Sequence, residues 1–546
     1  MVLTEKKNNH IKHQGIIISD LSFSWPDGTQ VFHKLNTQFG NNKIALIGQN
    51  GAGKSTLLRL IVGEIKLSSG SIQRSGKIGY LPQNLLNFHS TSIMQLFGVE
   101  KEIAALKDIS QGNCSQELFN ILDNKWDIED RIFAFLAKRN LSHINLSRTI
   151  KSLSGGEALR IYVAALEFKG AEFLVLDEPT NNLDTNALQD VIEMLLAWKK
   201  GALIVSHDPV LLNIVDQCAE LFLGKIRIYG GNFALYQEQR QLENSAANRT
   251  YQDAEKELQI RKQQETRAHE ISARRSSNAK KNQSSLGLPK VAINFFKNNS
   301  EKSAGKSNEL HQQKVDEAQD RLHEAKQNLR NEERIVIDLP DTLVHDHKKI
   351  LNIKSVTFSY SAESKLFHQK EINFSVFGPE RIAIQGTNGS GKSTLLALIA
   401  GEIQPQSGII ERGTEHIGYV DQRLMGVNPN LSVYDNVATK APNLSESEIR
   451  IKLGRFLFRN QRAFLPVHAL SGGEKFRALL ATILNTQPAP QLLLLDEPTN
   501  NLDLTSIKQL EDAICAFRGS LIVVSHNSAF LENIGITRYI KIDEFK

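Results

Sequence analysis

Nine residues confine what this chain can fold into more than any other stretch: Gly48-Gln49-Asn50-Gly51-Ala52-Gly53-Lys54-Ser55-Thr56. They match the pattern G-x-x-x-x-G-K-[ST]. An apolar run, Ile44 to Ile47, precedes them, and a helix-like segment, Leu57 to Val62, follows. Strand, loop and helix in that order are what a phosphate-binding loop requires. Its glycines let backbone N–H groups converge on phosphate oxygens, with the helix N-terminus behind them. Lys54 is placed to reach the terminal phosphates and Ser55 to ligate Mg²⁺. The pattern recurs as Gly386-Thr387-Asn388-Gly389-Ser390-Gly391-Lys392-Ser393-Thr394, again between an apolar run and a helix-like segment. The expected nucleotide-binding set is therefore Gly48, Asn50, Gly51, Gly53, Lys54, Ser55 and Thr56 in one copy. In the other it is Gly386, Asn388, Gly389, Gly391, Lys392, Ser393 and Thr394.

The repeat extends well beyond the loops. Lys54 and Lys392 are offset by 338 residues, whereas Asp177-Glu178 and Asp496-Glu497 are offset by 319, as are His207 and His526. The first half thus holds about twenty additional residues, which fall near 95–146, where Leu, Ile and Phe recur at helical spacing. A helical insertion is expected there. With 546 residues the chain is too long for one core. The expected division is a disordered polar tail over 1–15, a first α/β domain over 16–236, a linker over 237–349 and a second α/β domain over 350–546. Cys114, Cys218 and Cys515 lie too far apart for a metal or disulfide framework, which fits a reducing cytoplasm. No run of about eighteen apolar residues exists to span a membrane, and the polar start lacks the apolar core of a secretory signal.

Matched landmarks surround each loop. Gly79-Tyr80-Leu81-Pro82-Gln83 and Gly418-Tyr419-Val420-Asp421-Gln422 are apolar strands leading to a Gln. Gln83 and Gln422 can bring a neutral amide to a metal or a water. Ser154-Gly155-Gly156 and Ser471-Gly472-Gly473 each precede a helical run. They read either as plain N-caps or as second anion sites built from exposed helix amides. The runs Phe173 to Leu176 and Leu492 to Leu495 are continuously apolar, as strands buried on both faces are. Each ends in an Asp-Glu pair where α/β sheets place ligands. Asp177 and Asp496 are the expected Mg²⁺ holders, together with Ser55, Ser393, Gln83 and Gln422. Glu178 and Glu497 are the candidates to polarise an attacking water. His207 and His526 end further apolar strands, within reach of a γ-phosphate or that water. Trp25 and Tyr360 stand at the ends of strand-like runs near the start of each half. They can stack on an adenine ring or pack on their own domain.

Taken together, these residues resemble the ATP-binding cassette (ABC) ATPases, over both halves of the chain. The resemblance implies two P-loop cassettes that pair head to tail within one monomer, each ATP lying between one phosphate loop and the other cassette's Ser-Gly-Gly. One site would join Lys54, Gln83, Glu178 and His207 to Ser471, Gly472 and Gly473. The other would join Lys392, Gln422, Glu497 and His526 to Ser154, Gly155 and Gly156. Asn181-Asn182-Leu183-Asp184 and Asn500-Asn501-Leu502-Asp503 look like the family's D-loops. ATP and Mg²⁺ are the implied cofactors, and Mg²⁺-dependent ATP hydrolysis the implied activity.

The tandem arrangement and the charged linker are similar to the ABC-F group, which comprises ribosome-associated translation factors and antibiotic-resistance ribosome protection proteins. Gln237 to Lys281 and Asn308 to Glu333 are rich in helix formers, with Gly, Pro, Ser and Asn between them. A helical hairpin follows, whose first arm of some forty residues would extend on the order of 60 Å. From Arg261 to Lys306 there are eleven Lys or Arg against three Asp or Glu, a local excess of +8 where the whole chain carries +5. Such a concentration suits a phosphate backbone as well as a solvated linker. By resemblance the hairpin enters the ribosomal E site, with the apolar stretch Leu286 to Phe296 approaching the peptidyl-transferase centre. Arg267, Arg274, Arg275, Lys280, Lys281 and Lys290 then face ribosomal RNA or P-site tRNA of the 70S ribosome. The alternative of an ABC transporter's ATP-binding subunit leaves the basic hairpin without a role. A DNA-structural ATPase would carry longer coiled coils or zinc-binding cysteines.

Overall fold

The computed structural model describes residues 15–83, 90–113, 115–139, 141–181, 183–283, 309–326, 335, 337–360, 367, 371–422 and 425–545. In the first half, a six-stranded sheet has the order Ile78–Leu81, Phe173–Asp177, Gly201–Val205, Lys43–Ile47, Gln217–Phe222, Lys225–Gly230. All its pairings are parallel except the last, a hairpin. Phe173–Asp177 and Gly201–Val205 are buried along their whole length, as their unbroken apolar character requires. A separate antiparallel sheet places Ile16–Ser24 between Gln30–Phe39 and Ser69–Arg74. Its inward residues Ile16, Ile18, Leu21, Phe32 and Phe39 close a core with Leu57, Leu58 and Leu60 of the helix after the phosphate loop.

The second half repeats this plan. A wholly parallel five-stranded sheet runs Ile417–Val420, Leu492–Asp496, Ser520–Val524, Arg381–Gln385, Arg538–Lys541. An antiparallel sheet of Ile372–Phe377, Lys349–Thr357 and Ser407–Arg412 packs beside it. The architecture is α/β, with two P-loop domains.

The extra residues of the first half do form helices: Ile93–Phe97, Glu100–Ser110, Gln116–Leu122 and Ile128–Ala137. The second half carries a smaller helical layer at the same place, Val433–Lys440 and Glu446–Arg455. The insertion therefore enlarges a layer both halves possess.

The linker differs from its expected bounds at both ends. The chain divides into Met1–Phe233 with Glu333–Lys546, and a second unit, Ala234–Glu332. Ile335, Leu339 and Val344, assigned above to the linker, are buried in the core of the second α/β half. Within the other unit, one helix runs Phe233–Gln283, 51 residues or about 75 Å. Its return arm is helical over 309–326. Arg321 Nη1 donates to Glu257 Oε2 at 3.2 Å between the two arms, and Val315 and Ala318 are buried. Lys290 and the apolar stretch Leu286 to Phe296 lie outside the described residues, as does the tail 1–14. Among the described residues, no helix is long and apolar enough to cross a membrane.

Candidate active site

The two phosphate loops have the same backbone form. Gly51 and Gly389 have φ of 82° and 76°, and Gly53 and Gly391 have φ of 99° and 98°. These left-handed values favour glycine. Each loop runs directly into a helix, Lys54–Val62 and Lys392–Ala400, whose first turn supplies Lys, Ser and Thr. Lys54 Nζ donates to the Gly48 and Gln49 carbonyls at 2.5 and 3.2 Å. Lys392 Nζ donates to Gly386 and Thr387 at 2.8 and 3.1 Å. Both ammonium groups thus lie along their own loops.

Next to each loop stands the carboxylate ending the central strand. The Ser55 hydroxyl donates to Asp177 and that of Ser393 to Asp496. The Oδ1 atoms of both aspartates are buried with no hydrogen-bond partner among the described residues. Burial pushes both carboxyls above the usual carboxylate range, against the pull of these hydroxyls and of Lys54 and Lys392. A hydroxyl and an unsatisfied carboxylate oxygen are hard donors that fit Mg²⁺. No cluster of three or more His, Cys, Asp or Glu suited to a metal occurs among the described residues. A cation here would therefore complete its shell from water and phosphate, as Mg²⁺ commonly does.

Glu178 and Glu497 have φ of 49° and 47°. A non-glycine residue is strained there, and such strain gathers at functional sites. It is held by N–H bonds to the Val205 and Val524 carbonyls, both 2.9 Å, from the neighbouring strands. His207 Nε2 lies 3.1 Å from Glu178 Oε1, and His526 Nε2 lies 3.3 Å from Glu497 Oε1. Burial pushes Glu178 and Glu497 up to about 7, opposed by Lys54 and Lys392. Burial also pushes His207 down to about 3 and His526 to about 4, and the same lysines add to that. Each imidazole is neutral beside a carboxyl that titrates near pH 7, the range where a general base works best.

The D-loops join the two halves. Asp503 caps its own helix through Oδ1, accepting from the Ser506 N–H at 2.8 Å. Its Oδ2 accepts the N–H of Asn50 in the opposite phosphate loop at 2.7 Å. Asn50 Nδ2 in turn donates to the Asn501 carbonyl at 3.0 Å. Asp184 does the same in reverse, taking the Ala187 N–H at 2.9 Å and the Asn388 N–H at 3.5 Å. Asn181 Nδ2 reaches Asn501 Oδ1 at 3.4 Å where the two D-loops meet. In the sequence these loops stand out only by family likeness. The physical signal was present in Asp preceding an apolar helical run, an N-cap whose second oxygen is left to bond elsewhere.

A cavity of about 550 Å³, within the size range of ligand pockets, opens between the halves. Lys392, Ser393, Thr394, Gln422, Asp496, Glu497 and His526 line it from one half, and Glu178, Asn181, His207 and Asp208 from the other. Ser154, Gly155 and Gly156 are not among its lining residues, so the phosphate loop meets the opposite D-loop here rather than the opposite Ser-Gly-Gly. Ser154 and Ser471 are N-caps with complete capping boxes, paired with Glu157 and Glu474. Of the glutamines, Gln422 reaches the cavity, while Gln83 lies exposed two residues past its strand.

The two aromatic positions differ. Tyr360 is 64% exposed and its hydroxyl lies 3.1 Å from Thr394 Oγ1. Trp25 is half-buried, edge-on to Phe23 at 5.1 Å. Arg267 and Arg274 are exposed on the long helix. Arg275, Lys280 and Lys281 belong to the same helix, their side chains outside the described residues.

Comparison with known proteins fits this geometry. The family model described as ABC transporter matches residues 33–181 and 369–500, more than half the chain. The putative ATP-binding protein YdiF of Bacillus subtilis is 31% identical, over 92% of this chain and 76% of that protein. The ABC transporter ATP-binding protein YkpA of the same organism, described as uncharacterized, is 30% identical over 96% and 94%. The ATP-binding protein Uup of Haemophilus influenzae is 29% identical over 92% and 74%. In fold, the chain resembles one in the solved complex of an archaeal ribosomal stalk protein with an archaeal ribosome recycling factor, at TM-score 0.52 and 18% identity over 97% and 88%. The RNase-L inhibitor has the same TM-score, 0.52, and 18% identity over 94% and 86%.

Proposed function

Because this chain belongs to the ATP-binding cassette family, in its ABC-F group of tandem-cassette ATP-binding proteins, we propose that its two cassettes close on two ATP molecules and that the closed protein binds the ribosome. The observation that carries this reading is the reciprocal D-loop contact, Asp503 to Asn50 and Asp184 to Asn388, which sets each phosphate loop against the opposite cassette. Closing the remaining distance would bring Ser471 to Gly473 over the Lys54 loop and Ser154 to Gly156 over the Lys392 loop.

The chemistry then divides among residues already in place. The loop amides with Lys54 and Lys392 hold the phosphates. Ser55 with Asp177, and Ser393 with Asp496, would hold Mg²⁺, which shields the phosphate charge when bound. Glu178 and Glu497, in their deprotonated form, which prevails above neutral pH, orient the attacking water, and neutral His207 and His526 hydrogen-bond the γ-phosphate or that water. Trp25 and Tyr360 stack on adenine. Water cleaves the bond between the β- and γ-phosphates to leave ADP and inorganic phosphate; once the phosphate departs, the link between the cassettes is broken and the halves separate.

The basic hairpin gives this cycle its target. Its concentration of Lys and Arg matches a polyphosphate backbone. The proposed placement is the E site of the 70S ribosome, with the Leu286 to Phe296 stretch towards the peptidyl-transferase centre and Arg267, Arg274, Arg275, Lys280, Lys281 and Lys290 against ribosomal RNA or P-site tRNA. The protein would act in the cytoplasm as a translation factor or a resistance protein. The test is sedimentation of the Glu178→Gln, Glu497→Gln protein with 70S ribosomes. The expected result is co-pelleting that requires ATP. Absence of ATP-dependent co-pelleting would overturn the ribosomal role. Growth with and without ribosome-targeting drugs then separates the two roles.

A further inference from the structure

The second phosphate loop carries a carboxylate that the first lacks. Lys541 is level with Gln385 in one sheet, and Glu220 is level with Ile47 in the other. Two residues further on, the matched positions are Asp543 and Phe222. The same stretch backs both loops. A Cβ on Gly386 would clash with Ile542 Cγ2 and lie 3.2 Å from Asp543 Oδ2, and one on Gly48 would meet the Leu221 carbonyl at 2.7 Å.

Asp543 Oδ2 accepts the Thr387 N–H at 3.1 Å, and its Oδ1 accepts from Thr387 Oγ1 at 3.3 Å. The carbonyl of Thr387 accepts from Lys392 Nζ at 3.1 Å. One loop residue is thus held by the carboxylate on one side and by the phosphate-binding lysine on the other. In the first loop, Gln49 stands in place of Thr387, and a Phe222 side chain offers no acceptor. Lys54 feels the charges of Glu178, Asp503 and Asp177, whereas Lys392 feels the matching Glu497, Asp184 and Asp496 with Asp543 in addition.

We propose that Asp543 makes the two nucleotide sites unequal: its carboxylate fastens the second loop and opposes the incoming triphosphate there, weakening ATP binding at the second site alone. This rests on the reading that both loops bind ATP. A like charge beside a polyphosphate is repulsive, and in water the repulsion is screened by salt. An Asn at this position keeps an acceptor for Thr387 and removes the charge.

The experiment uses two single-site proteins, Lys54→Ala and Lys392→Ala, each with and without Asp543→Asn. Binding of the β,γ-imido analogue of ATP is measured by equilibrium dialysis. In the Lys54→Ala protein, Asp543→Asn tightens binding about fivefold at low salt, and the gain shrinks at high salt. In the Lys392→Ala protein it changes nothing. Weaker or unchanged binding in the Lys54→Ala protein, or equal tightening in both, would overturn the proposal. Asp543→Ala also tightens binding if charge is the cause; if both variants weaken it, the carboxylate serves to organise the loop and the proposal fails. A wild-type chain that binds no analogue at all would sink the ATP reading and this inference with it.

Discussion

Asp503 Oδ2 accepts the Asn50 N–H across the two cassettes at 2.7 Å, while its counterpart Asp184 stands 3.5 Å from the Asn388 N–H. Burial pushes the Asp503 carboxyl up, but the N–H bonds from Asn50 and Ser506 outweigh it and leave the group below its ordinary value. Both aspartates also cap a thirteen-residue helix. Replacing either by Ala costs about 1 kcal/mol for the lost cap. Asp503→Ala should cost about 1 kcal/mol more than Asp184→Ala, because only the former breaks a short bond to the other half. Urea denaturation of the two variants checks this; equal losses would mean that the cross-cassette bond adds nothing.

The proposed role of the strained glutamates as bases predicts a pH dependence. With Glu178 and Glu497 raised to about 7, ATP hydrolysis should climb as pH rises through that value and level off above it. Glu178→Gln with Glu497→Gln should cut the rate by roughly 10²-fold or more. The same shifts act on stability. A carboxyl raised on folding favours the fold below its unfolded value of 4.5, and that contribution is lost as pH rises through about 7. The double Gln variant should therefore show a flatter dependence of Tm on pH between about pH 5 and pH 8. A hydrolysis profile with no inflection near neutrality would count against these glutamates as the bases.

Two glycines of the first loop separate space from backbone conformation. Gly48 has the Leu221 carbonyl 2.7 Å from where its Cβ would lie, whereas Gly51 has nothing within 4 Å but a φ of 82°. Gly51→Ala should cost about 1 kcal/mol, the strain of a left-handed residue. Gly48→Ala must displace a sheet carbonyl and should cost more. Thermal unfolding of both variants gives the order, and the reverse order would contradict the loop geometry.

On the hairpin, Arg267 and Arg274 are exposed and belong to one helix. Changing both to Glu should weaken ribosome binding and reduce its salt dependence, since fewer counterions are released. Replacing Leu286 to Phe296 by a Gly-Ser linker should spare ATP hydrolysis and abolish the ribosome-dependent function. Unchanged ribosome-dependent function would remove the apolar stretch from the account.

Much of this site was legible in the sequence, because phosphate loops, buried strands and capped helices follow from local rules. The Asp-Glu pairs fell at the ends of fully buried strands, where an unbroken run such as Leu492 to Leu495 places them. The left-handed backbone at Glu178 was not legible, since it depends on Val205 from a strand remote in sequence. Nor was the second bond of Asp503, which needs the opposite cassette beside it. The linker's end is not legible because the apolar stretch from Ile335 to Val344 is short, broken by Asp338, Pro340 and Asp341, and unlike any landmark of the repeat; only the second cassette's core identifies Ile335, Leu339 and Val344.

In the proposed cycle each ATP site is completed by the other cassette. A direct measurement is the distance between spin labels at Lys151, three residues before Ser154, and at Glu402, beside the helix of the second phosphate loop, in a protein whose other cysteines are replaced. In the Glu178→Gln, Glu497→Gln background, ATP should shorten that distance and narrow its distribution. A distance that stays the same with and without ATP would contradict the account.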